Sequence, residues 1–198
     1  HALGAGANND GGLAGPSPCS DSHGDPNDGG FGQANGATAV DEPINDAFWV
    51  TFTAHEIGHQ FYANHSFNAQ TAPGCTFRSA TSAYEPASGS TIMSYASICG
   101  VQDLQPEPDP MFNAGALNEI VTFLDNGQAG DGGPNDCATE TATNNSAPTV
   151  NAGADYSIPK DTPFELNGIV TDAEQAAAAL THSWEQFDLG AAWTIPGT

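Results

Sequence analysis

The chain has almost no positive charge. It carries 24 acidic residues against two basic ones, Arg78 and Lys160, and its formal net charge is −22 over 198 residues. A protein that binds nucleic acid needs a basic surface to neutralise phosphates, so this composition excludes nucleic acid as a partner. The acidic excess indicates a strongly solvated surface.

Long apolar runs and metal-binding cysteine pairs are also missing. No apolar run approaches the roughly 20 residues that span a bilayer, so we expect no membrane span. No CxxC pair is present, which argues against a cysteine zinc site. The loops at 8–12 and 25–30 are rich in oxygen ligands and could bind calcium, although neither has the spacing of an EF-hand loop. Calcium is therefore an open alternative at these loops.

Four cysteines are present, an even number with wide spacing: Cys19, Cys75, Cys99 and Cys137. This pattern predicts two disulfide bonds in a secreted, extracellular protein. The chain begins at His1 with no visible signal peptide, so we expect a processed protein or a fragment.

Two helices are predicted, separated by a long irregular segment. The first covers DAFWVTFTAHEIGHQFYAN, with Asp46 as its N-cap. Its buried face is predicted to consist of Phe48, Phe52, Ile57 and Phe61. The second covers 114–126, with an apolar stripe of Leu117, Ile120, Val121 and Leu124.

Strands are predicted near both ends of the chain. The run GGLAGPSP within the Gly-rich first 42 residues predicts an edge strand. After Pro148, alternating apolar and polar residues in TVNAGADYSI, PFELNGIVTD and THSWEQFD predict strands of a β-sandwich. A sandwich usually needs about seven strands, so we expect this one to be incomplete.

The stretch TAHEIGHQFYANHSF carries the chemistry. His55 and His59 are four residues apart, so a helix places both imidazoles on one face, where they can bind one ion. Glu56 can then take a proton from water beside the metal without being a ligand. This is the HExxH arrangement of zinc hydrolases, although a chance match on a polar helix is the alternative.

His65 can supply a third ligand only if the helix ends before it. The longer metal motif HExxHxxGxxH places a glycine at that break, and here the position is Tyr62. Asn accepts a positive φ more readily than Tyr. We therefore expect the turn at Asn64, with a strained Tyr62 as the alternative.

These motifs resemble those of a known enzyme family. The segments AHEIGHQF and AYEPASGSTIMSYASICG, with the helix after them, are similar to the reprolysin-like metzincin metallopeptidases of the bacterial secreted type. The resemblance covers 44–125 and implies an α+β metzincin-type catalytic domain, expected over 1–135 with its N-terminal half incomplete. Residues 147–190 resemble the immunoglobulin-like repeats of such enzymes.

The second resemblance implies a partial all-β immunoglobulin-like sandwich. We expect it over 148–198, after a polar linker over 136–147. It gives rise to one alternative function, an adhesion protein in which the sandwich is the functional part.

The first resemblance implies a set of site residues. It assigns one zinc ion to His55, His59 and His65, the role of general base to Glu56, and a methionine turn to Met93. These roles imply a secreted zinc endopeptidase that acts on protein or peptide substrates. A catalytically inactive module that serves in binding, with a structural zinc, is the alternative.

Two further expectations follow from the resemblance. Tyr95 stands where some metzincins place a tyrosine that approaches the zinc, for an oxyanion or ligand role; a packed tyrosine is the alternative. Cys75 and Cys99 bracket the loop between the zinc helix and the methionine turn, so we expect them to pair. Cys19 would then pair with Cys137, although four cysteines allow three pairings.

Overall fold

The computed structural model describes residues 2–5, 11–14, 36–40, 44–45, 47–70, 75–126 and 141–191. The chain forms two compact units. The first combines His1–Thr139 with Glu185–Thr198, and the second is Glu140–Trp184. All three clustered histidines belong to the first unit.

A three-stranded sheet lies at the start of the first unit. Its strands are β1 (Ala2–Ala5), β2 (Gly11–Ala14) and β3 (Gly36–Val40). The strand order is β1-β3-β2, with β3 parallel to β1 and antiparallel to β2. The run GGLAGPSP therefore does contribute an edge strand, as predicted.

The helix that carries the first two histidines begins in an unusual form. Ala47–Ala54 is π-helical, and it continues as α1 (His55–Gln60). The predicted N-cap, Asp46, lies outside the described residues. The predicted buried face is only partly correct, because Phe48 is buried but Ile57 is 37% exposed. The wider π-helical turn shifts the face away from the 3.6-residue period that the prediction assumed.

In α1 the buried side chains are polar. His55, Glu56 and Gln60 are each at most 7% exposed, whereas the apolar Ile57 faces outward. Burying polar groups is costly unless they are paired, so this inversion marks α1 as functional rather than as an ordinary core helix.

The second helix, α2 (Ala114–Asn126), has the predicted bounds. The side chain of Asn113 caps it by accepting a hydrogen bond from Ala116 N–H at 2.8 Å. The predicted apolar stripe is wrong for Leu117, Val121 and Leu124, which are 42–51% exposed. The helix is packed through small residues instead, since Ala116 is buried and Gly115 lies against the ring of Tyr84.

Two apolar clusters pack close to the histidines. One contains Phe67, Ala69, Cys75 and Cys99, with Tyr95 against it. The other contains Ala63, Ile92, Met93 and Ala116, with Val50, Ala54, Phe112 and Ile120 against it. Cys75 and Cys99 form a disulfide bond, the first of the two expected pairs. Cys19 and Cys137 lie outside the described residues.

The segment 185–191 packs within the first unit, although THSWEQFD was predicted to be a sandwich strand. The ring of Phe187 stacks on Tyr84, with centroids 4.9 Å apart. Gly190 N–H donates to Ala83 O at 3.2 Å, and Arg78 donates to Gly190 O at 3.0 Å. These contacts replace the strand pairing that the alternating pattern indicated.

The second unit contains a two-stranded sheet. Its strands β4 (Thr149–Asn151) and β5 (Ile169–Thr171) are antiparallel, with Val150 opposite Val170. A short 3₁₀ turn follows at Ala177–Ala179. The described residues of this unit do not form the predicted sandwich, and most of their side chains are exposed. In the described part of the chain, no helix has both the length and the apolar character needed to cross a bilayer.

Candidate metal centre

The three histidines converge on one point. The Nε2 atoms of His55 and His59 are 3.1 Å apart, those of His59 and His65 are 3.1 Å apart, and those of His65 and His55 are 3.2 Å apart. His55 and His59 project from the same face of α1, and His65 reaches them from the loop after it. Among the described residues, this is the only group of three or more candidate ligands that converges.

Backbone carbonyls fix the protonation of each ring. The Nδ1 atoms of His55, His59 and His65 each lie 2.7 Å from a carbonyl oxygen, that of Ile92, Ala63 and Phe77 respectively. A carbonyl oxygen only accepts, so each Nδ1 carries the proton and each Nε2 presents a lone pair.

This arrangement fits a cation. Three lone pairs directed at one point repel one another unless a positive charge lies between them. A tetrahedral zinc ion with Zn–N bonds of about 2.0–2.1 Å would hold its ligand nitrogens about 3.4 Å apart, close to the distances in this site. Neutral imidazoles held by backbone carbonyls are also the form that binds metal.

Burial keeps the three imidazoles neutral. It lowers the pKa of His55 to about 3 and that of His65 to about 4, and the neighbouring histidines contribute to both shifts. Burial also lowers the pKa of His59. Since a protonated imidazole cannot bind a metal, the low pKa values keep the site ready to bind at neutral pH.

Glu56 follows His55 on α1, and it is 7% exposed. In the metal-free protein, burial raises the pKa of its carboxyl to about 7. A carboxyl group with a pKa near the working pH can both take and return a proton.

Tyr95 packs against His55 and His65. Its ring lies 4.6 Å from the ring of His65 and stacks on Phe67 at 4.5 Å, measured between centroids. Burial and the nearby Glu56 raise the pKa of the Tyr95 hydroxyl to about 12, so it stays protonated.

Met93 lies beneath α1 and is fully buried. A Cβ atom at Gly58, which sits between the two helical histidines, would lie 2.5 Å from Met93 Sδ. Only glycine at position 58 lets the turn approach the helix this closely. Gly58 was not identified from the sequence, although a glycine inside a helix costs about 1 kcal/mol and so signals a packing requirement.

The left-handed turn after α1 is made by Tyr62, not by Asn64 as predicted. Tyr62 has φ +70°. Its N–H donates to His59 O and that of Ala63 donates to Gly58 O, each at 3.0 Å. This is the Schellman pattern, with Tyr62 at the position that glycine usually occupies. The backbone bonds and a ring stack on Phe123 at 4.9 Å outweigh the preference of Asn for positive φ.

Glu119, on α2, secures the chain just after this turn. Its carboxylate accepts a hydrogen bond from Asn64 N–H at 2.7 Å and another from the Ser82 hydroxyl. Glu119 was not identifiable from the sequence, because nothing in its local pattern distinguishes it from a surface glutamate.

The strain at Tyr62 can be measured with a matched pair of variants. Tyr62→Gly and Tyr62→Ala both lose the stack on Phe123, so only the backbone preference differs between them. We expect the Gly variant to be more stable by about 1–2 kcal/mol, because a left-handed conformation costs an L-residue that much. Urea unfolding of the two variants measures the difference. A Tyr62 that is still helical would reverse the order, since glycine is about 1 kcal/mol worse than alanine in a helix.

Comparison with known proteins gives one match. The family model described as "Metallo-peptidase family M12B Reprolysin-like" matches residues 16–121, which include all three histidines, Glu56 and Met93. Searches of curated proteins and of solved structures found no similar protein. The match covers more than half of the chain, and the geometry of the histidines agrees with it. The chain therefore belongs to the reprolysin-like M12B family of metallopeptidases.

Proposed function

We propose that this protein is a secreted zinc endopeptidase with Glu56 as its general base. The observation that carries the proposal is the convergence of three Nε2 lone pairs beside a buried glutamate. Membership of a zinc-dependent peptidase family supports it, and so does the Cys75–Cys99 disulfide, which is typical of oxidising compartments.

His55, His59 and His65 would hold the zinc ion through Nε2. When bound, zinc acts as a Lewis acid that acidifies water and polarises a carbonyl oxygen. The backbone carbonyls of Ile92 and Phe77 keep the imidazoles of His55 and His65, respectively, oriented and keep their protons on Nδ1. The loops at 8–12 and 25–30, where calcium was the open alternative, lie outside the described residues except for Gly11 and Gly12. Among the described residues, the only converging group of candidate ligands is the three histidines, which do not support calcium.

Glu56 moves the proton. It accepts a proton from the water as the water oxygen attacks the carbonyl carbon of the substrate. It then delivers that proton to the amine nitrogen as the peptide C–N bond breaks. No covalent link to the protein forms, so no serine or cysteine nucleophile is needed.

An inactive binding module was the alternative that Tyr62 suggested, since it replaces the glycine of the longer motif. The three rings meet despite Tyr62, because Tyr62 itself adopts the left-handed turn. This observation supports a working site over a degenerate one. The substrates we propose are peptides and proteins, and the acidic chain would attract basic segments most strongly at low salt.

Hydrolysis that depends on zinc tests the proposal. We expect the protein to cleave an unfolded protein such as casein, to lose this activity after zinc is removed with a chelator, and to regain it when zinc is restored. Zinc content is measured on the same samples. A protein that binds one zinc ion per chain and cleaves neither casein nor a library of unstructured peptides would contradict the proposed function.

A further inference from the structure

One carboxylate outside the histidine cluster collects an unusual number of hydrogen bonds. The side chain of Glu85 accepts from the backbone N–H groups of Ser90 and Thr91, at 2.9 and 3.0 Å. It also accepts from the hydroxyls of Thr91, at 2.8 Å, and of Ser66, and from the Asn113 amide at 3.0 Å. The Ser90 hydroxyl lies 3.4 Å away.

Every one of these partners is turned toward Glu85 as a donor. A carboxylate has two acceptor oxygens and no proton of its own, so both of its oxygens can accept hydrogen bonds from these groups. A glutamine at position 85 has one acceptor oxygen and an amide that also donates. In one orientation its amide NH₂ would face the backbone N–H groups of Ser90 and Thr91. In the other orientation it would face the amide NH₂ of Asn113. None of these nitrogen groups can accept a hydrogen bond.

The first route from Glu85 to the metal site passes through Ser66. Ser66 directly follows His65, and its hydroxyl donates to the Glu85 carboxylate. The backbone N–H of Glu85 donates in turn to Ser66 O at 2.9 Å, and Ser66 N–H donates to Met93 O at 3.0 Å. Glu85 thus holds the residue next to the third histidine from two directions.

The second route passes through Thr91. Its N–H and its hydroxyl both bind Glu85. The next residue is Ile92, whose carbonyl oxygen accepts the Nδ1 proton of His55 at 2.7 Å. Glu85 therefore also fixes the strip of backbone that orients the first histidine.

From these two routes we propose that Glu85 is a positioning residue of the metal centre. It sets His65 and His55 in the mutual orientation that binds zinc. Its bond to Asn113, the N-cap of α2, anchors this arrangement to the second helix. The inference rests on the proposed function only in that the site binds zinc.

Zinc affinity tests the proposal without relying on catalysis. The dissociation constant is measured by chelator competition for the wild type, Glu85→Gln and Glu107→Gln, at a temperature where all three metal-free proteins are folded. Glu107 is the matched control, because it is an exposed glutamate and its substitution removes the same charge. The visible spectrum of the cobalt-substituted proteins reports the ligand set.

We expect Glu85→Gln to weaken zinc binding by about 10–100-fold, the usual cost of losing a residue that orients metal ligands. We also expect its cobalt spectrum to change as the hold on His65 and His55 is lost. Glu107→Gln should match the wild type in both measurements. A Glu85→Gln protein with wild-type zinc affinity and cobalt spectrum overturns the proposal, even if its thermal stability is lower.

Milder variants cover the case in which Glu85→Gln does not fold. Ser66→Ala interrupts the first route and Thr91→Val weakens the second, each by removing one hydroxyl. Each should weaken zinc binding several-fold, and wild-type affinity in both overturns the proposal. A wild type that binds zinc but cleaves no peptide contradicts the proposed function alone, whereas a wild type that binds no zinc overturns both.

Discussion

Glu56→Ala is expected to reduce peptide hydrolysis by about 10²–10⁴-fold while the protein keeps its zinc. General-base catalysis by a positioned side chain typically contributes that much to a rate. Glu56 is not one of the three converging ligands, so its loss leaves the nitrogen donors in place. Steady-state cleavage of a peptide and zinc content are measured on the same preparation.

The control for this variant is Glu107→Ala, which removes one exposed carboxylate and should leave both quantities unchanged. Turnover of Glu56→Ala within a few-fold of the wild type would remove Glu56 from the mechanism. Loss of zinc from Glu56→Ala would show instead that the carboxylate helps to hold the metal.

The second large effect concerns stability. The proposed zinc site exists only in the folded protein, so zinc at 100 times its dissociation constant should stabilise the protein by about 2.7 kcal/mol. For a chain of this size, that corresponds to a rise in melting temperature of about 5–10 °C. We expect His65→Ala to lose most of the rise, because two histidines without the third bind zinc far more weakly.

Thermal unfolding with zinc and with a chelator measures the rise in each protein. His182→Ala is the matched control, since His182 is an exposed histidine in the second unit and its loss should leave the zinc effect intact. A full zinc-dependent rise in His65→Ala would mean that His65 is not a ligand.

The convergence of the three histidines was predictable from the sequence, because it depends largely on local spacing. A separation of four residues on a helix brings His55 and His59 together whatever the rest of the fold does. The ends of α2 were also predictable, since its apolar residues recur at helical spacing and Gly127 follows its last residue. The roles of the ligands and of Glu56 remain predictions that the experiments above test.

The sequence did not predict which residue makes the turn before His65. Intrinsic preference favoured Asn64, but long-range and medium-range bonds decide the outcome. The N–H of Asn64 is taken by Glu119, which lies 55 residues further along the chain, and the ring of Tyr62 rests on Phe123. A rule based on single-residue propensity cannot include partners that only the fold brings close.

Glu85 could not be identified from sequence for a related reason. Its donors come from three separate segments of the chain, at Ser66, at Ser90 and Thr91, and at Asn113.

The alternating pattern of THSWEQFD led to a strand prediction that the structure does not bear out. That pattern describes which side chains are apolar, and Phe187 satisfies it equally well by stacking on Tyr84.

The contact between Gly58 and Met93 makes two distant positions mutually dependent. Because any side chain at position 58 would meet the sulfur of Met93, a larger residue there is tolerated only if position 93 becomes smaller in the same protein. Either change alone would disturb the packing beneath His55 and His59. A larger residue at position 58 would clash with Met93, and a smaller residue at position 93 would leave a cavity. Any engineered change in the packing beneath the histidines therefore requires coordinated substitutions at positions 58 and 93.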